Sequence, residues 1–418
     1  HLPPRTAMKR AYYLFSNGRL ARRQNTLCLE RATDACAPGT EMPGVHAVAA
    51  TTPGFDAETP ATASTTAGDG APEGRATSSG EDAFASLTSD SASDDDGTPT
   101  GALTGEKIPF PVESVAAIYC FGEIDINRKL VSFLSKHNVP VFFFGYYGHY
   151  TATLYPKEHL LSGRLKVAQV RHYDDPARRM MLARAFTESA LSNIRRVLHY
   201  YATRADGDAA ATLDATIDAI ETLRAQMDRA EDIPTLMGLE GQARIRYYEA
   251  WPTLLGKAGA DFPFERRSRR PPCNALNALI SFGNSLCYAA VVHQIYHTAL
   301  DPTVSYLHEP GDRRFSLALD LAEVFKPLLV DRAIFRLVKT RQIQPSDFEE
   351  RLGGVYLSES GRKTFVAHWD DRLQQTITHR RLDRKVSYRR LIRLDAYRLV
   401  RHLCDPENDP YRGFKMWW

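Results

Sequence analysis

The sequence predicts an α+β protein, in which a small N-terminal β domain is followed by a large all-α C-terminal domain. Three observations lead to this class. Short apolar segments separated by Gly and aromatic turns fill the first part of the chain. Helical spacing of apolar residues begins near Asp175. A low-complexity segment, 31–106, interrupts the β region. We therefore predict a β domain over 8–30 and 107–172 and an α-helical domain over 173–418.

The β domain is predicted from short strand-like segments. Residues 8–30 indicate a β-hairpin with strands at Tyr12–Phe15 and Thr26–Leu29, because Asn17-Gly18 between them is a typical turn dipeptide. The other elements of this domain are predicted after the low-complexity segment, as strands at Val112–Phe121, Val139–Phe144 and Thr151–Tyr155 and a short helix at Arg128–His137.

The low-complexity segment is acidic. Between Ala32 and Gly105 the sequence contains 12 acidic residues and one basic residue, Arg75. Its few apolar side chains cannot offset the entropy lost on ordering, so we predict that 31–106 is a disordered insertion. The rest of the chain holds 52 basic and 38 acidic residues, a formal net charge of +14. This excess favours a polyanionic partner.

The second domain is predicted to be helical throughout. Its helices are expected at Arg178–Tyr201, Ala209–Ala230, Leu239–Leu255, Asn274–Ala299, Ser316–Val338, Pro345–Leu352, Lys363–His379 and Tyr388–Leu403. The apolar runs are too short to predict a transmembrane span, and the first residues lack the apolar core of a signal peptide. We therefore expect a cytoplasmic protein. The six cysteines have neither zinc-ligand nor disulfide-framework spacing.

The predicted helix Ser316–Val338 is apolar on nearly every face, so it is expected to be buried. It nevertheless contains Asp320 and Glu323 on one face, and His308 precedes it by a short loop. Buried carboxylates are costly unless a cation or hydrogen bonds compensate them. Two interpretations remain open, structural ion pairs and a site for metal-dependent phosphate chemistry. The candidate ion-pair partners are Arg313, Arg314 and Arg332.

Glu240 and His308 are two further candidate site residues. Glu240 is expected in the first turn of a helix, where the helix dipole favours a carboxylate, and His308 lies at a helix-to-loop transition before Pro310. Each has an ordinary structural role when it is considered alone. Together with Asp320 and Glu323, they form a typical ligand set for Mn²⁺ or Mg²⁺. Such an ion supports phosphodiester chemistry.

Two basic clusters are candidates for contact with DNA phosphates, in agreement with the +14 charge outside the insertion. The first consists of Arg266, Arg267, Arg269 and Arg270, and the second of Arg384, Lys385, Arg389 and Arg390, with Tyr388 interleaved. The alternative for each cluster is a solvated helix face. The sequence contains no P-loop, dinucleotide-binding glycine motif or nucleophile elbow, so nucleotide-driven or acyl-transfer chemistry is not expected.

Ordered motifs extend from Met8 to Trp418 and omit the acidic insertion. They are Tyr12–Leu20, Pro111–Val115, Tyr119–Asn127, Phe144–Tyr150, Glu240–Gly241, Asn277–Gly283, Leu307–Pro310, Phe315–Pro327, Val330–Arg332 and Ser387–Arg389. This series resembles the universal integrase family of CRISPR spacer acquisition, CRISPR-associated protein one, and in its details the subtype I-B branch. In that family the stretch occupied by 31–106 is normally a short connection.

The resemblance implies a homodimer, two of which flank a dimer of CRISPR-associated protein two. It also implies double-stranded DNA partners, namely the prespacer and the CRISPR repeat, and a RecB-like adaptation nuclease as a further partner. By motif, the family's metal ligands correspond to Glu240, His308 and Glu323, and Asp320 corresponds to an additional active-site acid.

The expected activity is that of a metal-dependent DNA endonuclease and integrase, which joins prespacer 3′-hydroxyl ends to the CRISPR repeat by transesterification. Two alternatives are a transposase-like integrase of a mobile element and a non-catalytic DNA-binding scaffold. The intact set of one histidine and several carboxylates argues against the scaffold.

Overall fold

The computed structural model describes residues 9–32, 103–158, 160–268, 271–311, 315–380 and 382–417. These residues form two compact units, and the division falls between 158 and 160. The first helix after that division, Gly163–Asp174, belongs to the second unit, because it packs against helices of that unit. The sequence-based boundary at residue 172 had placed most of this helix with the β domain.

The first unit contains two four-stranded sheets and one helix. Its strands are β1 (Arg10–Leu14), β2 (Gly18–Arg23), β3 (Thr26–Ala32), β4 (Leu103–Pro111), β5 (Val115–Cys120), β6 (Ile124–Asp125), β7 (Val141–Phe144) and β8 (Tyr150–Leu154). One sheet has the order β1-β5-β7-β8 and the other β4-β3-β2-β6. The helix α1 (Arg128–Lys136), which confirms the predicted helix, buries Leu130, Phe133 and Leu134 in the core between them.

The predicted hairpin over 8–30 is wrong in its pairing. Strand β1 runs parallel to β5 in the first sheet, whereas β2 and β3 form an antiparallel hairpin that turns at Gln24-Asn25. The dipeptide Asn17-Gly18 instead crosses from one sheet to the other, and the backbone of Glu123 holds it through two hydrogen bonds. Gly18 is required there, because a Cβ atom would lie 2.3 Å from the carbonyl oxygen of Glu30.

The ends of the predicted insertion belong to the second sheet. Ala32 at the end of β3 pairs with Leu103 at the start of β4, and Arg31 forms an ion pair with Glu106 at 2.7 Å. Residues 31–32 and 103–106 are therefore strand, which corrects the predicted bounds. The prediction of disorder otherwise concerns 33–102, which lies outside the described residues.

The second unit is mainly helical. Its helices are α2 (Gly163–Asp174), α3 (Pro176–Ala202), α4 (Gly207–Met227), α5 (Ile233–Glu249), α6 (Trp251–Leu255), α7 (Ala275–Ile295), α8 (Ser316–Lys326), α9 (Arg332–Lys339), α10 (Glu359–Gln374) and α11 (Tyr388–Cys404). Helix α7 is the central element and packs against α8 and α11. Among the described residues it is the one helix long and apolar enough to cross a membrane, and 83% of its apolar window is buried inside the unit, as in a core helix.

Two β-hairpins correct the prediction of an all-α domain. The predicted helix Pro345–Leu352 is instead a hairpin of β9 (Phe348–Arg351) and β10 (Gly354–Leu357). Its two turn residues, Leu352 and Gly353, both have positive φ, which a helix does not allow and a tight hairpin requires. The predicted helix Lys363–His379 ends at Gln374, where the chain enters a second hairpin formed by β11 (Thr376–His379) and β12 (Arg384–Ser387).

The predicted helix Ser316–Val338 is interrupted by a π-helical turn over Pro327–Asp331. Pro327 has no amide hydrogen to donate, so the regular hydrogen-bond series is broken there. Gly283 of α7 allows this turn to approach closely, because a Cβ atom at Gly283 would lie 2.5 Å from Cγ1 of Val330. The turn therefore fixes where α8 ends and how its charged face is presented.

Candidate active site

Helix α8 carries three charged residues on one face, Asp320, Glu323 and Lys326. The helix lies against α3 and α7 and is otherwise almost completely buried. On the α3 side, the buried Asn193 donates a hydrogen bond of 2.8 Å to the carbonyl oxygen of Val324, which fixes α8 in position. The sequence prediction of carboxylates on a core helix is confirmed by this arrangement.

Asp320 is fully buried and holds the loop that contains His308. Its Oδ1 accepts hydrogen bonds from the backbone amide and from Nδ1 of His308, at 3.0 and 2.8 Å. Its Oδ2 accepts from the backbone amides of Tyr306 and Leu307, at 2.7 and 3.0 Å. These four bonds occupy the acceptor positions of the carboxylate. A proton that Nδ1 donates to Asp320 leaves the lone pair of His308 on Nε2.

Glu240 and Glu323 meet through a shared arginine. The guanidinium of Arg244 donates to Oε1 of Glu240 through Nε and to Oε2 of Glu323 through Nη2. Lys326 donates to the other oxygen of Glu323. Glu240 lies in the middle of α5 rather than in the first turn of a helix, so the sequence-based dipole interpretation is wrong. The Glu240 carboxylate is instead stabilised by Arg244, which lies four residues later in the same helix.

The electrostatic surroundings keep Glu323 and Arg244 ionised. Burial would raise the pKa of Glu323, but the positive charges of Arg244 and Lys326, together with His308, hold it well below its usual range. Burial likewise disfavours the charged form of Arg244, yet Glu240 and Glu323 hold the pKa of its guanidinium well above the ordinary value. His308 is therefore close enough to Glu323 to act on its charge.

The donor chemistry of this region fits a divalent cation. An imidazole with its Nε2 lone pair available and two carboxylates of separate helices are suitable ligands for Mn²⁺ or Mg²⁺. In the part of the chain that the structure describes, no group of three or more His, Cys, Asp or Glu residues is gathered closely enough to hold a metal ion. Glu240 and Glu323 each form an ion pair with Arg244 instead. Arg244 and Lys326 there supply the positive charge that the carboxylates require.

Asp331 is a buried acid beside this region that sequence reasoning missed. Burial raises the pKa of its carboxyl group to about 7, although Arg244 lowers it. It ends the π-helical turn, which is a helix irregularity often found at functional sites. The sequence signal that could have found it is an acid within an apolar run, the same signal that identified Asp320 and Glu323.

A second set of contacts holds the His308 loop from the opposite side. Glu309 accepts hydrogen bonds from the hydroxyl group of Tyr173 on α2 and from Nη2 of Arg179 on α3, the latter at 2.5 Å. Arg179 also donates through Nε to the carbonyl oxygen of Tyr306, at 3.1 Å, and lies over the Tyr173 ring. His308 is thus held between Asp320 and this clamp of Tyr173, Arg179 and Glu309.

In the first predicted DNA-binding cluster, one described arginine is exposed and another has a structural role. Arg266 is exposed, as phosphate contact requires. Arg267 instead donates to the side chains of Asn277 and Ser281, at 2.9 and 3.1 Å, and so holds its loop on α7. Arg269 and Arg270 lie outside the described residues.

The second cluster is divided in the same way. Arg384 and Lys385 on β12 are exposed, and so is Arg390 on α11. Arg389 forms an ion pair of 2.9 Å with the buried Asp370, which gives it a structural role. Tyr388, predicted to be interleaved with the phosphate contacts, is buried, and the guanidinium of Arg372 lies over its ring.

The sequence of this chain is similar to that of known proteins. A family model described as CRISPR associated protein Cas1 matches residues 99–371. The CRISPR-associated endonuclease Cas1 2 of Moorella thermoacetica is 46% identical over 323 residues, which cover 77% of this chain and 95% of that protein. The CRISPR-associated endonuclease Cas1 of Haloferax volcanii is 42% identical over 316 residues, with 76% and 92% covered. The chain belongs to the Cas1 family.

Solved structures show the same fold. A Cas1 protein from Thermotoga maritima has a TM-score of 0.71 and 31% identity, with 97% of this chain and 100% of that chain covered. A casposase bound to its integration product has a TM-score of 0.68, with 98% and 96% covered, and its identity of 18% shows a shared fold.

Proposed function

We propose that this protein is a metal-dependent DNA endonuclease and integrase of CRISPR adaptation. It joins the 3′-hydroxyl end of a prespacer to the CRISPR repeat by transesterification. Membership of the Cas1 family and the endonuclease names of the relatives support this activity. The observation that carries it is the buried Asp320–His308 pair, next to the glutamates that Arg244 connects.

In the proposed reaction, the prespacer hydroxyl oxygen attacks a phosphorus atom of the repeat. The hydroxyl group loses its proton as the new P–O bond forms, the bond to the 3′ oxygen of the repeat strand breaks, and the released 3′ oxygen takes up a proton. The number of phosphodiester bonds is unchanged, so no nucleotide hydrolysis is needed. Negative charge grows on the oxygens around phosphorus during the exchange, and cations placed there accelerate it.

Each residue of the site has a distinct proposed role. Glu240, His308 through Nε2, and Glu323 would hold Mn²⁺ or Mg²⁺, and the bound ion would polarise the scissile phosphodiester. Asp320 orients the imidazole of His308 and keeps its proton on Nδ1. Arg244 sets the distance between the two glutamates, and its charge keeps Glu323 ionised. The four bonds that Asp320 accepts make it a positioning residue rather than a metal ligand.

The proposed partners are double-stranded DNA, a second copy of this chain, a dimer of CRISPR-associated protein two and a RecB-like adaptation nuclease. One solved neighbour is described as a Cas6-RT-Cas1–Cas2 complex, which supports the association with protein two. The casposase neighbour, which is bound to an integration product, supports DNA as substrate. A cytoplasmic location and a subtype I-B adaptation system are part of this proposal.

The test is strand transfer of oligonucleotide prespacers into a supercoiled plasmid that carries a CRISPR repeat. The reactions contain Mn²⁺, Mg²⁺ or a chelator, with and without the protein-two partner. We expect metal-dependent joined products from the parent and none from His308→Ala, while both proteins bind the duplex with similar affinity. DNA binding without strand transfer by the parent under every condition would identify a scaffold instead.

A further inference from the structure

A cavity of about 360 Å³ lies on the second unit, between one face of α2 and the C-terminal end of α11. We call it the α2 cavity. Its lining contains three arginines, Arg164, Arg171 and Arg178, and no aspartate or glutamate. Val167 and Leu403 supply apolar wall beside them. The cavity therefore combines positive charge with an apolar surface.

Two of these arginines are available to bind a ligand. Arg164 and Arg171 are exposed and lie on one face of α2, with Val167 between them. Neither side chain forms a hydrogen bond or ion pair with any residue that the structure describes, whereas Arg178 pairs with Asp175 at 3.2 Å. The two residues lie two helical turns apart, roughly 10 Å along the helix axis, and an anion bound between their long side chains would be attracted by both positive charges.

The arginines could instead balance the carbonyl groups at the end of α11, since cations are favoured near a helix C-terminus. The structure gives that interpretation little support. Among the described residues, the hydrogen bond that closes this end comes from the backbone amide of Asp405, which donates to the carbonyl oxygen of Arg401 at 2.9 Å. No arginine of the cavity donates to it.

The opposite side of α2 contacts the segment that contains His308. Lys166 forms an ion pair with Asp301 at 3.2 Å, and Gln169 makes two hydrogen bonds to the backbone of the same residue. Tyr173, one further turn along, donates to Glu309. A ligand in the cavity would therefore lie one helix diameter, roughly 10 Å, from the active-site segment.

We propose that the α2 cavity binds one nucleotide of a DNA strand. Arg164 and Arg171 donate hydrogen bonds to its phosphate from two sides, and the exposed Val167 contacts its sugar or base. The volume suits a ligand of this size, and such contacts are independent of sequence. The proposal rests on the proposed function for the identity of the ligand, and it adds a strand-binding subsite one helix away from the reacting centre.

Cys404 provides a direct readout, because it lines the cavity and its thiol is free and exposed. Cys273 is also free and exposed but does not line the cavity, so it serves as an internal control. The full-length protein is treated with a thiol reagent, and peptide mass spectrometry reports the two residues separately. A ten-nucleotide single strand should slow modification of Cys404 at least threefold and leave Cys273 unchanged. Inorganic phosphate at the same phosphate concentration should protect neither.

The variant pair Arg164→Gln and Arg171→Gln should abolish this protection. It should also weaken oligonucleotide binding about tenfold and lower the salt slope by about 0.7, since the contact with one phosphate of a single strand is lost. Arg401→Gln with Arg412→Gln removes the same charge from exposed positions outside the cavity lining and is the matched control. That control should keep full protection.

Three results would overturn the proposal: an unprotected Cys404 in the parent with oligonucleotide bound, equal effects of the two double variants, or equal protection by inorganic phosphate. Failure of the proposed function has a different signature. In that case Cys404 would be protected in a parent protein that performs no strand transfer.

Discussion

Oδ1 of Asp320 lies 2.8 Å from Nδ1 of His308, and the same carboxylate accepts three backbone amides of the segment Tyr306–His308. A buried acid thus fixes both the imidazole and the loop that carries it. The orientation of the His308 imidazole therefore depends on the packing of the core of the second unit, where Asp320 is buried. A mutation in that core should therefore alter catalysis before it alters DNA binding.

Asp320→Asn tests this dependence. An amide group has one acceptor oxygen where the carboxylate has two, so at least one backbone amide or the imidazole is left unpaired in a buried place. We expect a loss of stability of about 2–4 kcal/mol and a decrease in strand transfer of about 10- to 100-fold. Chemical denaturation and the plasmid assay measure the two effects, and DNA affinity should stay within twofold. Unchanged strand transfer in a folded variant would contradict the positioning role.

The clamp on Glu309 leads to a second prediction. Arg179→Leu removes the hydrogen bonds to Glu309 and to the carbonyl oxygen of Tyr306, so the His308 loop loses one of its two supports. We expect strand transfer to fall about tenfold, with a higher Mn²⁺ concentration needed for half-maximal rate. The matched control is Arg195→Leu, on the same helix α3 but outside the lining of the α2 cavity, whose ion-pair partner is Glu221. Equal behaviour of the two variants would assign Arg179 a general electrostatic role.

The acidic insertion leads to a third prediction. Because Ala32 and Leu103 are paired neighbours in one sheet, replacing 33–102 with a short Gly/Ser turn should leave the first unit folded. The removed acids lie within a chain whose remainder has a formal net charge of +14, so DNA binding should tighten, most clearly at low salt. Titration of both forms against one duplex at several salt concentrations measures this. Identical affinities throughout would make the insertion neutral for binding.

A fourth prediction concerns acid stability. Burial, with the positive charges of Arg336 and Arg372, lowers the pKa of His368 to about 4, below its usual value of about 6.5. The folded state therefore favours the neutral imidazole. The stability that depends on it is complete above pH 6.5 and is lost as the pH falls toward 4, by roughly 3 kcal/mol.

His368→Gln should flatten this decline, and Arg336→Gln should reduce it partly because one repelling charge is removed. Urea unfolding between pH 4 and 7 measures the three slopes. Parallel curves for the parent and His368→Gln would exclude His368 as the titrating group.

The local pattern of residues was sufficient for several features. Apolar periodicity identified the buried helix with Asp320 and Glu323, because a helix that is apolar on nearly every side is stable in water only when it is buried. The helix at Arg128–Lys136 and the final helix Tyr388–Cys404 were predicted within one residue, since both have clear starting signals. Motif order indicated the family that the comparisons establish.

Long-range pairing was required for the rest. Whether Tyr12–Leu14 pairs with Thr26–Leu29 or with Val115–Cys120 depends on contacts more than 100 residues apart, and the Asn17-Gly18 dipeptide is compatible with either. The separation of basic residues into exposed ones, such as Arg384, and paired ones, such as Arg389, depends on which acid folds against them. The link that Arg244 makes between Glu240 and Glu323 also required the tertiary structure. Local sequence determines the helix face on which a charged side chain lies, whereas the packing of distant helices determines which charge it meets.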